Sequence, residues 1–304
     1  KQLIVILLIT PFALLWGEFF TRTLCSQNLD SKMDIYESDS AVGYIFKSNA
    51  RTYEKGREYT VPYIINSYGF SDREYGRKKK DVFRVLLLGD SFSVSHGLRI
   101  EDSLSRQLEH ALQQYADKDR INVKFEVVNA AAGGYSPYNY WKGYERWKMI
   151  FKPDAVIVGF SPDDFDVGTA GLKYIIEGGD TLAMYREGEV PKTGENDIVK
   201  LRKWLSWNSE LYILLRNFFY YNDYIGRISK WLSAKSNNKT NQLQQFLVPE
   251  PQKMAEAWKE SFSYLDKLHE ATAFDGIPLA VISLPLKEEI NASLFTSTIN
   301  SSGL

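Results

Sequence analysis

The stretch "FRVLLLGDSFSVSHGL", residues 83 to 98, limits the fold more than any other part of the chain. Its apolar run stops at Gly89, as in a parallel strand that is covered on both faces. A strand hidden on both sides needs helices on both sides. Gly89, Asp90 and Ser91 then mark a sharp turn into the next element. Ser at such a turn can cap the following helix, or it can present its hydroxyl as a nucleophile. Both readings of Ser91 stand at this point.

The same alternation recurs downstream. A helical pattern from about Ser103 to Tyr115 puts Leu104, Leu108, Ala111 and Leu112 on one face. "FEVVNAAAGG" reads as a second strand and turn, followed by a helix with Ser136 as N-cap, Pro137 in its first turn, and Tyr140, Trp141, Tyr144 and Trp147 along it. Residues 154–160, "DAVIVGF", form a third strand. The alternation then pauses. "LKYIIEGGDTLAMYREGE" predicts a hairpin turning at Gly178-Gly179-Asp180, and an aromatic-rich helical stretch follows. Residues 170–235 are therefore expected to be an insertion or lid, with "SAKSNNKTNQ" as its exit. A long helix from Pro251 to about Thr272 leads into a fourth strand, "IPLAVISLP". Four strands separated by helices predict a three-layer α/β/α domain with right-handed crossovers. In such sheets, sites collect at the carboxyl ends of the strands. Those ends are residues 89–92, 133–135 and 161–165.

Bulk properties exclude several classes. The 304 residues carry 37 basic and 38 acidic side chains, a net charge of −1, so no basic footprint for nucleic acid exists. Cys25 is the single cysteine, which excludes an internal disulfide and a cysteine-rich metal site. No P-loop, dinucleotide glycine pattern or zinc spacing occurs, so neither a cofactor nor a metal is expected. Residues 3–16 are apolar apart from Thr10 and Pro11, and the chain opens at Lys1 without a Met. Residues 1–25 are expected to be a transmembrane anchor, in preference to a cleaved signal, with the bulk of the chain extracytoplasmic, in the periplasm. Residues 26–80 read as a connector and edge-strand region in which "TVPYIINSYGF" is a strand and turn, and residues 81–304 as the main domain.

"GDSF" after the first strand, "NAAAGGYS" after the second and "GFSPDDF" after the third resemble, in order and spacing, the first three sequence blocks of the SGNH, or GDSL-type, hydrolases. "INSYGFSDREY" and "GIPLAVISLP" are similar to flanking segments of bacterial membrane-anchored members. The resemblance spans roughly residues 60 to 290. It implies a flavodoxin-like sheet and a serine esterase. Ser91 would form the acyl-enzyme, and its N–H would donate to the oxyanion. Gly134 would bring a second backbone N–H close to that oxyanion. The third donor of the family is an Asn side chain, and Asp163 stands in its place.

That departure has a chemical consequence. An ionised carboxylate accepts hydrogen bonds and cannot donate them, and it repels a developing negative charge about 3 Å away. Losing one donor costs on the order of 10²–10³ in rate. Asp163 either stays protonated in a dry site, or leaves two backbone donors, or makes turnover poor. The family's base is a His three residues after an Asp, in a block beyond the last strand, and no such block precedes Leu304. A longer natural chain or a degenerate relative would each account for that. The histidines present are His96, His110 and His269. "DKLH", ending at His269, has the spacing but precedes the fourth strand, and His269 shares a helical face with Trp258, Phe262 and Leu265, as a core or interface histidine would. His110 is expected to be solvated. His96 lies five residues past Ser91, off the family's base position. The expected activity is ester hydrolysis, O-acyl transfer or deacetylation through acyl-Ser91, on carbohydrate esters of the cell envelope. The alternative is an impaired SGNH-like domain that serves as an accessory subunit of a membrane protein complex.

Overall fold

The structure, a computed structural model, describes residues 2–27, 35–55, 59–161, 164, 172–177, 180–186, 197–221 and 251–285. The elements begin with α1 (Gln2–Leu24), β1 (Tyr36–Asp39), β2 (Gly43–Phe46), β3 (Arg51–Lys55), β4 (Thr60–Ile64), β5 (Val82–Gly89) and α2 (Ser91–Val94). They continue with α3 (Leu104–Lys118), β6 (Lys124–Asn129), α4 (Pro137–Phe151), β7 (Ala155–Phe160), β8 (Leu172–Glu177) and β9 (Asp180–Arg186). Last come α5 (Asp197–Asn208), α6 (Glu210–Tyr221), α7 (Pro251–Phe274) and β10 (Leu279–Ser283). Two compact units result: residues 33–54, 60–193 and 240–304 in one, and 1–32, 55–59 and 194–239 in the other.

The larger unit is built on a parallel sheet of order β10-β7-β5-β6. This is the flavodoxin-like order expected from the sequence, with β5 central. Alternate residues of β5 serve two cores. Val85 and Leu87 meet Val127 and the Leu104, Leu108 and Leu112 stripe of α3, while Leu86 and Leu88 join Tyr140, Tyr144, Trp147 and Phe151 of α4 and Leu268 of α7. Each side of the strand thus has its own helical layer. Ala111, expected on the packed face of α3, is exposed, because Leu104, Leu108 and Leu112 already follow the i, i+4 row that meets the sheet. Ser103 caps α3 by accepting from the Arg106 N–H, and Ser136 and Asn139 form a capping box at α4.

One residue of β5 breaks the apolar reading. Arg84 is 2% exposed. Its guanidinium meets the Glu126 carboxylate at 2.6 Å and donates to the carbonyls of Phe151 and Gly76. Burial is tolerable because charge and donors are both matched. The partner is local in register, since Arg84 lies opposite Glu126 on β6.

The 26–80 region supplies two further ribbons, β1–β2 and β3–β4. "TVPYIINSYGF" contains β4, which pairs with β3 and not with the main sheet. The stretch 170–235 divides between the units. Its hairpin β8–β9 belongs to the larger one, where the Ile176 N–H donates to Ser38 Oγ of β1. The turn expected at Gly178 and Gly179, and the polar exit "SAKSNNKTNQ", lie outside the described residues.

In the smaller unit α1 packs on α6. A Cβ on Gly17 would come 2.9 Å from Leu211 Cδ2, so glycine permits the close approach. Glu18 accepts from the backbone N–H groups of Glu210 and Leu211 and from Ser209 Oγ, which satisfies the first turn of α6. Among the described residues no helix is long and apolar enough to cross a membrane. α1 forms over the segment expected to be an anchor, where residues 3–16 are apolar apart from Thr10 and Pro11.

Candidate active site

β5 and β7 run side by side with Gly89 opposite Gly159, and β5 lies beside β6 with Leu87 opposite Asn129. The chain goes from β5 to β6 on one side and crosses back to β7 on the other, so the carboxyl end of β5 is the switch point of the sheet. Ser91 sits there, as the first residue of α2.

The turn is held from three directions. Asp90 is the N-cap of α2; one carboxylate oxygen accepts from the Phe92 N–H at 2.9 Å and the other from Ser161 Oγ at 2.9 Å. Asn129, the last residue of β6, donates from Nδ2 to the Ser93 carbonyl at 2.9 Å and accepts from the Ala131 N–H. Ser93 itself fills the space over two glycines. A Cβ on Gly89 would fall 2.0 Å from Ser93 Oγ and 2.5 Å from its Cβ, and one on Gly159 would fall 2.3 Å from Ser93 Oγ. Only glycine at these positions lets α2 lie against the strand ends, and so fixes where Ser91 stands.

Gly134 adopts φ +77°, in the left-handed region. The preceding Gly133 carbonyl accepts from the Tyr44 hydroxyl at 2.5 Å. Since a trans peptide points its carbonyl and its N–H in opposite directions, Tyr44 thereby sets the direction of the Gly134 N–H. A Cβ on Gly133 would lie 3.8 Å from Ser91 Cβ, 3.4 Å from His96 Nε2 and 3.8 Å from the Tyr36 hydroxyl. Ser91, His96 and Tyr36 thus converge on the Gly133-Gly134 turn. Burial, then the nearby charge of Glu54, pushes the Tyr36 hydroxyl up to about 12, so it remains a proton donor at working pH.

Two of the three oxyanion residues named from sequence, Ser91 and Gly134, are placed at this one point. Asp163 lies outside the described residues. Asp164 is turned inward, where Oδ1 accepts from the Tyr140 hydroxyl at 2.6 Å and Oδ2 from the Ser161 N–H at 2.8 Å. It closes the turn after β7. His269 is exposed on α7, whose buried row is Ser261, Leu268 and Thr272, so the core half of the core-or-interface expectation is corrected by that rotation of the face. His110 is exposed and contacts Gln114. His96 is held by the Glu54 carboxylate, 3.1 Å from Nδ1, and its ring stacks on Tyr63.

Sequence reasoning missed Tyr36, Tyr44, Glu54 and Asn129, and placed Ser161 at a strand end without giving it a role. Asn129 carried a signal, since a polar residue ends an apolar strand there; the first three carried none, because they arrive from separate ribbons. Among the described residues, no group of three or more His, Cys, Asp or Glu side chains is placed to hold a metal ion.

No protein-family model matches the chain, and no curated protein does. Several solved structures are similar to it. TesA is 22% identical over 28% of this chain and 44% of its own, with a TM-score of 0.23. AlinE4, an SGNH-hydrolase family esterase, is 23% identical over 30% and 46%, also at 0.23. The psychrotrophic esterase EstA from Pseudoalteromonas sp. is 12% identical over 72% and 71%, at 0.27. This chain spans less than half the length of the first two.

Proposed function

We propose that the chain is an SGNH-type serine ester hydrolase in which Ser91 attacks the ester carbonyl and carries the acyl group. The observation that supports this most is the junction of Ser91 with the Gly133-Gly134 turn at the switch point of the sheet. Among the described residues, neither the hydroxyl nor the N–H of Ser91 makes a protein hydrogen bond, and the Gly134 N–H makes none. A carbonyl oxygen lying between the two N–H groups would gain both donors as it becomes an oxyanion. Asn129, Asp90 and Ser161 keep the nucleophile's turn from shifting, which positions Ser91 for attack.

Envelope carbohydrate esters are the proposed substrates; the family resemblance and the tyrosines beside the turn, Tyr36 and Tyr44, support that choice. Hydrolysis of p-nitrophenyl acetate tests the chemistry, together with mass spectrometry after treatment with a fluorophosphonate. The expected result is one adduct on Ser91 and a loss of activity to background in Ser91→Ala. Equal rates in both proteins, with no adduct, would refute it and leave an SGNH-like domain that serves as an accessory subunit.

A further inference from the structure

We propose that α1, α5 and α6 form a lipid-docking unit, in which α1 enters the apolar part of a bilayer and the α5–α6 pair lies beside it among the headgroups. The inference concerns the smaller unit alone and stands independently of the esterase reading.

The exposure of α1 sets the kind of partner. Residues 9–16, apolar but for Thr10 and Pro11, are exposed without a break. Leu14, Leu15 and Trp16 are 55%, 70% and 45% exposed. Successive helical residues point about 100° apart, so these three look out in different directions around the axis. A helix that is apolar on every side belongs in an apolar medium. A docked protein covers one face of a helix, whereas lipid covers all of them. Entry into the apolar layer is what this exposure requires; it does not require α1 to cross that layer.

The same helix marks where the apolar medium ends. From Gly17 onward its polar groups find partners at the corner between α5 and α6. Glu18 accepts from Ser209 Oγ and from the N–H groups of Glu210 and Leu211. Arg22 donates from Nη2 to the Asn208 carbonyl at 2.7 Å, and the Gln27 N–H donates to Glu210 Oε2 at 2.7 Å. Trp16 and Phe19 meet edge-on at this change, with ring centroids 5.7 Å apart, and Phe20 lies 5.6 Å from Trp16. Aromatic rings gather at the membrane–water interface because they are apolar in body and polarisable at the edge. The α5–α6 corner is thereby tied to the level of that interface.

The surface that α5 and α6 expose is of the matching kind. Leu211 of α6 packs against Gly17 of α1, and Leu215 and Phe219 continue the same i, i+4 row uncovered, with Phe218 beside them. The apolar surfaces of α1 and α6 are thus continuous, and lipid that covers one reaches the other. On α5, Ile198, Leu201 and Trp204 make an exposed stripe at a spacing of three. Lys200 and Arg202 are exposed next to it, Lys200 lying 3.7 Å from the Asp197 carboxylate. An apolar and aromatic stripe flanked by cations suits a helix that lies in the plane of anionic headgroups.

The test places the full chain in vesicles of phosphatidylethanolamine and phosphatidylglycerol. Cys25→Ser removes the exposed native thiol, and nitroxide labels are then attached in Leu15→Cys, Trp204→Cys, Phe218→Cys and, as a water-exposed reference in the larger unit, Arg99→Cys. Power-saturation EPR compares collisions with oxygen, which concentrates in lipid, and with a nickel chelate, which stays in water. The oxygen-to-nickel ratio should be severalfold higher in the Trp204 and Phe218 variants than in the Arg99 variant, and highest in the Leu15 variant. A Leu15 label open to nickel would overturn the entry of α1. Trp204 and Phe218 labels that match the Arg99 label would overturn the proposal by putting the pair in water. Labels there that are shielded from both reagents would overturn it in favour of a protein partner or a second copy of the chain. The wild-type chain provides an arm that needs no substitution: a phospholipid carrying a photoactivated diazirine near its headgroup should leave adducts within residues 197–221 as well as in α1, located by peptide mass spectrometry. Adducts confined to α1 would overturn the docking of α5 and α6.

Discussion

Substitution of Gly159 by alanine should displace the nucleophile without touching it. The new methyl would lie 2.3 Å from Ser93 Oγ and 3.0 Å from Leu284 Cδ1. Ser93 is fully buried, and Asn129 holds its carbonyl, so α2 cannot yield freely. Overpacking of this kind costs about 1–3 kcal/mol. At roughly 2–4 °C per kcal/mol for a domain of this size, the melting temperature should fall by several degrees, and esterase activity should fall with it. The offending atom in Gly159→Ala is the hydroxyl. Ser93 Oγ has no hydrogen-bond partner, so Ser93→Ala alone should be nearly neutral, and combined with Gly159→Ala it should restore most of the loss. Gly89→Ala behaves differently. Its methyl would also lie 2.5 Å from Ser93 Cβ, which Ser93→Ala retains, so no rescue is expected there. Urea denaturation of the four-member cycle at positions 93 and 159 should give a coupling of about 1 kcal/mol or more. Additive effects at 93 and 159, or equal rescue of both glycine variants, would refute this account of the elbow.

Arg84→Ala would strand Glu126 and two carbonyls and should cost about 3–5 kcal/mol in urea denaturation, whereas an exposed arginine such as Arg99 should be near neutral. Tyr44→Phe frees the Gly133 carbonyl and loosens the Gly134 N–H; kcat should fall about tenfold, within the known worth of one oxyanion donor, with KM nearly unchanged. Hydrogen bonds from Lys148 and then Tyr144 hold the Asp275 carboxyl below its ordinary range. A depressed carboxylate stabilises the fold above its unfolded value and ceases to as pH falls through the folded one. Thermal melts of wild type and Asp275→Asn should therefore differ at neutral pH and converge below about pH 4.

Much of the scaffold was legible from local pattern, because its rules are local. Strand runs ending on Gly, Ser103 and Ser136 at helix starts, and the spacing of leucines on α3 each follow from short-range geometry. Local pattern marked the strand ends where Ser91 and Gly134 stand, and the resemblance of the three blocks to a known family is what implied their roles. Arg84 shows the limit. A charged residue inside an apolar run is readable as buried only once Glu126 is known to lie beside it in register. His269 shows it again: helical spacing groups Trp258, Phe262 and Leu265 with it, but which face meets the sheet depends on how α7 is rotated.

By itself the sequence determined that strands and helices alternate, that the layers are three, and that a serine stands at the first strand's end. Only the tertiary structure decided what surrounds that serine. Glu54, Tyr36 and Tyr44 come from ribbons and lie 37 to 55 residues earlier in the chain, and Asn129 and Ser161 come from later strand ends. No periodicity links them, because they meet through strand pairing and side-chain packing across long loops. His96 changes meaning on that account. In the chain it is five residues past Ser91; in the fold it is an imidazole bound to a carboxylate from another ribbon, with its free nitrogen toward the glycine turn.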